Sequence, residues 1–446
     1  MTVGTRFALA LAALCLAGSA GAQTPAALEP GVVHPKVLCQ GDPSHSYALY
    51  LPRGYHPGRP WPVLFCLSPT GQGEVPLRLV KDAAEAGGYI VAASNDSRNG
   101  PWQPILEAQQ ALWKDVSARF PMASSGHLAM GFSGGARAAL HLALTHRDRF
   151  RGVISCGAFY AEQKDLPRKS GLSLYLLTGN RDFNRFEMGR ALETEPKRGN
   201  RVWLQVFEGK HRWPDAAQFG QALAFFAAEE ASPGDPLRSR WAADRAGEAE
   251  DLLQKGRSYE AYRLFTQIAR LYPEVPAGAA AAGKAAALER TEEVISARAR
   301  DRRFEDLWGR LKAVSSQDQL LGLIRELRKL KAAGGEDSED AEDLLQLNAL
   351  SLEQLGVQLL RAGRYDEAAF CLETAALVLP SHSILNYNAA CALARAGRSE
   401  SAMEFLEKAV AAGFKDRALA SKDSDLDSLR KHPRFQRLLD GMGPGS

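Results

Sequence analysis

Between residues 30 and 230, short apolar runs alternate with segments whose apolar residues recur at helical spacing. SYALYLP (46–52), WPVLFCLSP (61–69), GYIVAASND (88–96), SGHLAMGFS (125–133), FRGVISCGA (150–158), SLYLLTGNRD (173–182) and RVWLQVFEGKH (201–211) read as strands. Between them, LRLVKDAAEAGG (77–88), ILEAQQALWKDVSARF (105–120), ARAALHLALTHRDRF (136–150), RFEMGRALETEP (185–196) and AAQFGQALAFFAAEE (216–230) read as helices. Strands that are apolar throughout and punctuated by helices predict the α/β class, a mostly parallel sheet covered on both faces.

The pattern changes at 231–239. ASPGDPLRS concentrates Pro, Gly and Ser between two helical segments and reads as a linker. From 240 to 440 the strand signals vanish, and nearly everything is an Ala-, Leu-, Glu- and Arg-rich helical pattern. Gly356, Gly363-Arg364, Ala368, Leu372 and Ala375 recur 34 residues later as Ala390, Gly397-Arg398, Ala402, Leu406 and Ala409. A further unit from Gly256 to Pro273 repeats the Gly-Arg turn, the small Ala261 and the large Phe265. Period and placement resemble tetratricopeptide repeats, and that resemblance implies an all-α domain that binds a protein or peptide partner. The stretch 277–340 carries a poorer repeat signal, and GGEDSEDAED (334–343) is expected to be an exposed break. GAAAAGKA (278–285) approaches a phosphate-loop pattern, but Ala285 stands where Ser or Thr would ligate Mg²⁺ and no strand precedes it, so an alanine-rich helix is expected.

The first 22 residues stand apart. Arg6, the apolar FALALAALCLAG and the small Ala20-Gly21-Ala22 form a secretory signal-peptide pattern, which predicts an exported chain, periplasmic or extracellular. No later stretch is apolar enough to span a bilayer. A net charge of +3 from 55 basic and 52 acidic residues gives no field that implies a nucleic-acid partner. Of the five cysteines after the signal, Cys66 and Cys156 lie in strand patterns and Cys371 and Cys391 on helices, which suits buried free thiols; Cys39 has no such home. Without a C-x-x-C, an H-E-x-x-H or clustered His and Cys, nothing implies a metal or another cofactor.

Chemistry concentrates at GFSGGARA (131–138). An apolar strand runs into G-x-S-x-G and then directly into a helix, a turn so sharp that it strains the central residue and turns its side chain outward. Ser133 would then stand at a helix N-terminus, whose partial positive charge favours an oxyanion. A serine hydroxyl needs a histidine base and an acid to orient that base. Both follow later strands: Asp182 ends LYLLTGNRD, and His211 follows VWLQVFEGK. Asp96 is the rival acid, after an earlier strand.

Together GFSGG, TGNRD and GKHRWP resemble the α/β-hydrolase fold, and within it the lidless secreted esterases related to esterase D and the poly(3-hydroxybutyrate) depolymerases. The resemblance covers residues 30–230 and implies Ser133 as nucleophile, His211 as general base and then acid, Asp182 as the orienting group and the Gly134 amide as one oxyanion donor. Such relatives carry His-Gly after the third strand where this chain has Ser68-Pro69, and Pro69 has no N–H to give. The second donor is then the amide of Thr70 or Gly71. Arg98, Asn99 and Trp102 lie at the same carboxyl edge of the sheet and are candidate substrate contacts, as is Trp213 of the GKHRWP motif. A catalytic half of about 200 residues leaves no room for a large lid, so an exposed or bulky acyl substrate is expected. Two functions follow. One is a secreted hydrolase of carboxylic esters, amides being the lesser option, joined to a partner-binding module. The other is a catalytically degenerate hydrolase fold serving as a scaffold, motivated by LSPTG.

Overall fold

The computed structural model describes residues 28–160 and 167–442; the signal-peptide pattern lies outside them. Its sheet has eight strands: β1 (Val33–Cys39), β2 (Asp42–Tyr50), β3 (Val63–Leu67), β4 (Ile90–Ser94), β5 (His127–Phe132), β6 (Phe150–Cys156), β7 (Ser173–Arg181) and β8 (Arg201–Lys210). Their order across the sheet is β1-β2-β4-β3-β5-β6-β7-β8; β2 pairs antiparallel with both β1 and β4, and all other neighbours from β4 to β8 are parallel. All residues of β3, β4 and β5 are buried, which is what covering both faces demands. The chain leaves β3 toward β4 and then crosses back to β5, so the carboxyl ends of β3 and β5 flank a topological switch point, the usual place for a ligand.

Alternate strand residues serve two cores. On one face, Leu64, Cys66, Met130, Tyr175 and Trp203 pack under α1 (Glu74–Gly87) and α5 (Ala216–Glu230). On the other, Val63, Phe65, Ala129 and Leu176 pack under α2 (Trp102–Arg119), α3 (Gly134–Thr145) and α4 (Arg185–Thr194). Beyond them the chain is helical: α6 (Pro236–Gln254), α7 (Ser258–Leu271), α8 (Pro276–Leu288), α9 (Glu292–Lys312), α10 (Gln317–Ala333), α11 (Glu336–Arg361), α12 (Tyr365–Val378), α13 (Ser383–Arg395), α14 (Ser399–Ala411), α15 (Arg417–Lys422) and α16 (Pro433–Gly441). The three Gly-Arg turns of the repeats put Gly256, Gly363 and Gly397 at φ +71°, +75° and +76°, a left-handed conformation that glycine adopts without steric cost. Ala261, Ala368 and Ala402 are fully buried where consecutive helices meet.

Four details differ from the pattern-based expectation. The stretch 231–239 is no spacer: α6 begins at Pro236, and Trp241 packs 5.6 Å from Trp203 and 5.8 Å from Phe225, extending the core of the sheet. Strand β1 was missed because VHPKVLC contains Pro35 and Lys36, which an edge strand tolerates and a central one does not. It buries Cys39, so all five cysteines of the described residues are buried and free. Finally, only Gly334 and Gly335 break the helices at 334–343; the acidic residues after them open α11, and Asp343 is buried. Residues 278–285 are helical, within α8.

Candidate active site

At the end of β5, Ser133 has φ +54° and ψ −124°, one of two non-glycine residues with positive φ among those described. The strain is held by the crowding around it. A Cβ on Gly131 would lie 2.1 Å from the Gly135 carbonyl oxygen, and one on Gly135 would lie 2.2 Å from that of Leu67, so strand and helix approach more closely than any side chain permits. The Ser133 N–H donates to the Cys156 carbonyl on β6 at 2.8 Å, which fixes the turn against the sheet.

The Ser133 hydroxyl reaches His211 Nε2 at 3.0 Å, and His211 Nδ1 lies 2.9 Å from both carboxylate oxygens of Asp182. The three residues come from the ends of β5, β7 and β8, up to 78 positions apart in sequence. Asp182 is fully buried, whereas the imidazole keeps 17% of its surface in solvent, enough for a ligand to reach its far edge. Asp182 also accepts the Asn184 N–H at 2.8 Å, and Asn184 in turn donates to the Gly157 carbonyl at 2.8 Å. With an acceptor on Nδ1–H, the tautomer that leaves Nε2 free to take a proton is favoured. Among the described residues no group of three or more His, Cys, Asp or Glu is arranged to hold a metal ion.

Gly134 opens α3, so its N–H has no acceptor within the helix. Across from it, Ser68, Pro69, Thr70 and Gly71 form a turn. The Gly71 N–H closes that turn on the Ser68 carbonyl at 3.4 Å, while the Thr70 N–H meets only the rotatable Ser68 hydroxyl, at 3.3 Å. Thr70 is therefore the more available donor of the two. Arg98 pairs with Thr70 as an isolated antiparallel bridge and lays its guanidinium beside Gly71, and the Asn99 N–H donates to the Pro69 carbonyl at 2.7 Å. The Asn99 side-chain oxygen crowds the α-carbon of Gly134, next to the serine. Trp102 is exposed and lies edge-on to His141 at 5.6 Å. Trp213 packs on Phe132 at 5.2 Å, and Phe132 on His211 at 4.5 Å. The rival acid Asp96 is engaged elsewhere, accepting the Ser46 N–H at 2.7 Å.

A family model described as "Putative esterase" matches residues 44–267, half of the chain. The chain belongs to this esterase family. As a member it is an ester hydrolase, and the matched span of the esterase runs past 231–239 into α7, in keeping with a core that α6 and α7 complete. Solved structures similar to the esterase include S-formylglutathione hydrolase from Staphylococcus aureus (16% identity, 45% of this chain and 99% of that one, TM-score 0.36). The Pyrobaculum calidifontis esterase (13%, 46% and 87%, TM-score 0.37) and the Bacillus cereus carboxylesterase (15%, 42% and 96%, TM-score 0.35) are others. A curated relative, a chloroplastic protein of Arabidopsis thaliana, is 31% identical over 87 residues, 19% of the esterase; the chain spans about a quarter of that relative's length. No helix among the described residues of the esterase is long and apolar enough to cross a membrane.

Several residues around the site escaped the sequence reading. Phe183 packs on the imidazole of the esterase at 4.2 Å, and with Phe132 it encloses the ring from two sides. Asn184, two residues after Asp182, was signalled only by the short-range turn habit of Asp and Asn. Arg137, just inside α3, forms a 2.7 Å ion pair with Glu187 of α4, whose other carboxylate oxygen accepts the Phe159 N–H at 2.7 Å. Burial pushes the Glu187 carboxyl above its usual range, with Arg137 pulling the other way. This pair ties the helix behind the serine to the helix behind the acid.

Proposed function

We propose that Ser133, His211 and Asp182 form an acyl-transfer triad, and that the enzyme hydrolyses carboxylic esters outside the cytoplasm. The reading rests on one observation above all: the unbroken series from hydroxyl to imidazole to carboxylate at 3.0 and 2.9 Å. Ser133 Oγ attacks the ester carbonyl while His211 Nε2 takes its proton. The tetrahedral oxyanion is held by the amides of Gly134 and Thr70, and Asp182 stabilises the imidazolium. His211 then gives the proton to the leaving alkoxide, which departs as the alcohol. Water, deprotonated by the same nitrogen, attacks the acyl-enzyme; the acid leaves and the serine regains its proton.

Phe132 and Phe183 lay apolar rings against His211 with Trp213 behind Phe132, and Arg98 and Asn99, beside Gly71 and Gly134, add a polar rim. That composition suits an acyl group lying on the rings with its polar part at the rim. Proline at position 69 supported the scaffold reading, but Thr70 offers an amide beside it, which favours catalysis. Export rests on the N-terminal pattern, and a protein or peptide partner for the helical repeats rests on their period. Turnover of p-nitrophenyl butyrate by the parent and its loss in His211→Ala are the expected results. Equal turnover in His211→Ala would remove the basis of the proposal.

A further inference from the structure

The loop that carries Asp182 is held on two sides. Asp182, Phe183 and Asn184 face His211 and Gly157, while Arg181, Arg185 and Phe186 face the helical half of the chain. Arg181 donates through Nε and Nη2 to the two carboxylate oxygens of Asp343, both at 3.3 Å, and its Nη1 lies 3.0 Å from Glu339. Arg185 pairs with both Asp343 and Asp340, and the same guanidinium donates to the backbone carbonyl of Asp182 at 3.4 Å. Asp343 keeps 4% of its side chain in solvent and Arg185 15%, so these pairs are shielded from screening. The partners lie 155 to 162 residues apart in sequence. Beside them Phe186 stacks on Phe304 at 6.1 Å, and Arg190 lies over Trp308 at 5.4 Å.

We propose that Asp340 and Asp343, at the start of α11, are positioning residues for the triad, so that the helical half forms part of the frame of the active site. Their work is twofold. They pin both residues that flank the loop's functional stretch, and they engage the Arg185 guanidinium and, together with Glu339, that of Arg181, the two cations that flank Asp182. A carboxylate beside an unpaired arginine prefers that charge-assisted contact, and Asp182 drawn toward Arg181 or Arg185 would leave His211 without its orienting acceptor. The stretch expected to be an exposed acidic break is thus the ionic seat of the catalytic acid.

The inference rests on the triad reading, and its test separates the two. Asp343→Asn and the double variant Asp340→Asn/Asp343→Asn keep the side-chain shape and remove the charge. The apolar seat of Phe186 on Phe304 is untouched, so the full chain is expected to fold. The predicted result with p-nitrophenyl butyrate is a kcat at least tenfold lower in the double variant with KM changed less than threefold. Asp343→Glu should restore most of kcat. Hydrogen exchange in peptides covering 179–187 should rise in the double variant, a readout that needs no turnover. An inactive parent would defeat the triad reading, while the exchange measurement still decides the bracing. Unchanged exchange, or a double variant that keeps the parent's kcat, would overturn the proposal, even if its melting temperature fell.

Discussion

Gly131→Ala tests whether the close approach of β5 and α3 is what aims the serine. A methyl group at that position would sit 2.1 Å from the Gly135 carbonyl oxygen and 2.7 Å from the Ala136 nitrogen, both of them backbone atoms without a rotamer to escape into. Real contacts of this kind stay beyond 3.0 Å, so the first turn of α3 must retreat by about 0.9 Å. Ser133 lies inside that turn, and its hydroxyl is already at 3.0 Å from His211. A misplacement of about 1 Å can cost on the order of 10²-fold in rate, and overpacking costs about 1–3 kcal/mol in stability. The expected outcome in p-nitrophenyl butyrate assays is a kcat/KM roughly 100-fold below the parent, with a lower melting temperature in the same preparation. Gly220→Ala is the control: it lies in α5 with open space where the Cβ would go, and is expected to leave the rate unchanged and add about 0.5–1 kcal/mol. A folded Gly131→Ala enzyme within threefold of the parent rate would refute the crowding argument.

Other changes probe separate parts of the site and of the core. Asp182→Asn keeps the loop's shape but favours the wrong imidazole tautomer, and is expected to lower kcat by about 10⁴; a loss below tenfold would contradict the orienting role. Thr70→Pro removes the second oxyanion amide and should lower kcat about 10²–10³-fold, whereas Thr70→Ala, which keeps the N–H, should stay near the parent; equal rates in both would exclude that amide. His127 is buried and accepts the Val63 N–H on Nδ1 at 3.1 Å, and burial lowers its pKa from 6.5 to about 4. Between those values the unfolded chain binds a proton that the folded one refuses, so stability falls as the pH drops through that window, by up to about 1.4 kcal/mol per pH unit for this group. Urea titrations of His127→Phe should show a pH slope shallower by one proton, on a protein less stable at pH 7 for want of the Val63 acceptor; an unchanged slope would refute this.

The parallel sheet was readable because β3, β4 and β5 are covered on both faces, and full burial leaves runs such as VLFCL with no competing polar signal. Order along the chain then placed Ser133, Asp182 and His211, since in such a sheet loops after successive strands meet at one edge. What the sequence left dark depends on partners distant in the chain. The edge strand β1 pairs only with β2 and alternates weakly, with Val37 and Cys39 buried but His34, Pro35 and Lys36 turned outward or half-buried. Phe183 gave no signal apart from its place next to Asp182. Arg181 and Arg185 gave no signal of their role, because the carboxylates they pair with come from a helix more than 150 residues later. The same distance explains the misreading of 334–343: an acidic run after two glycines reads as solvent-facing until the arginines it meets are known.

That Ser133 is an activated nucleophile is tested most directly by fluorophosphonate labelling of the full chain, followed by intact mass and peptide mapping. One adduct, on the peptide containing Ser133, absent in Ser133→Ala and at least tenfold slower to form in His211→Ala, is the predicted result. No adduct on the folded parent, or labelling that persists unchanged in Ser133→Ala, would contradict it.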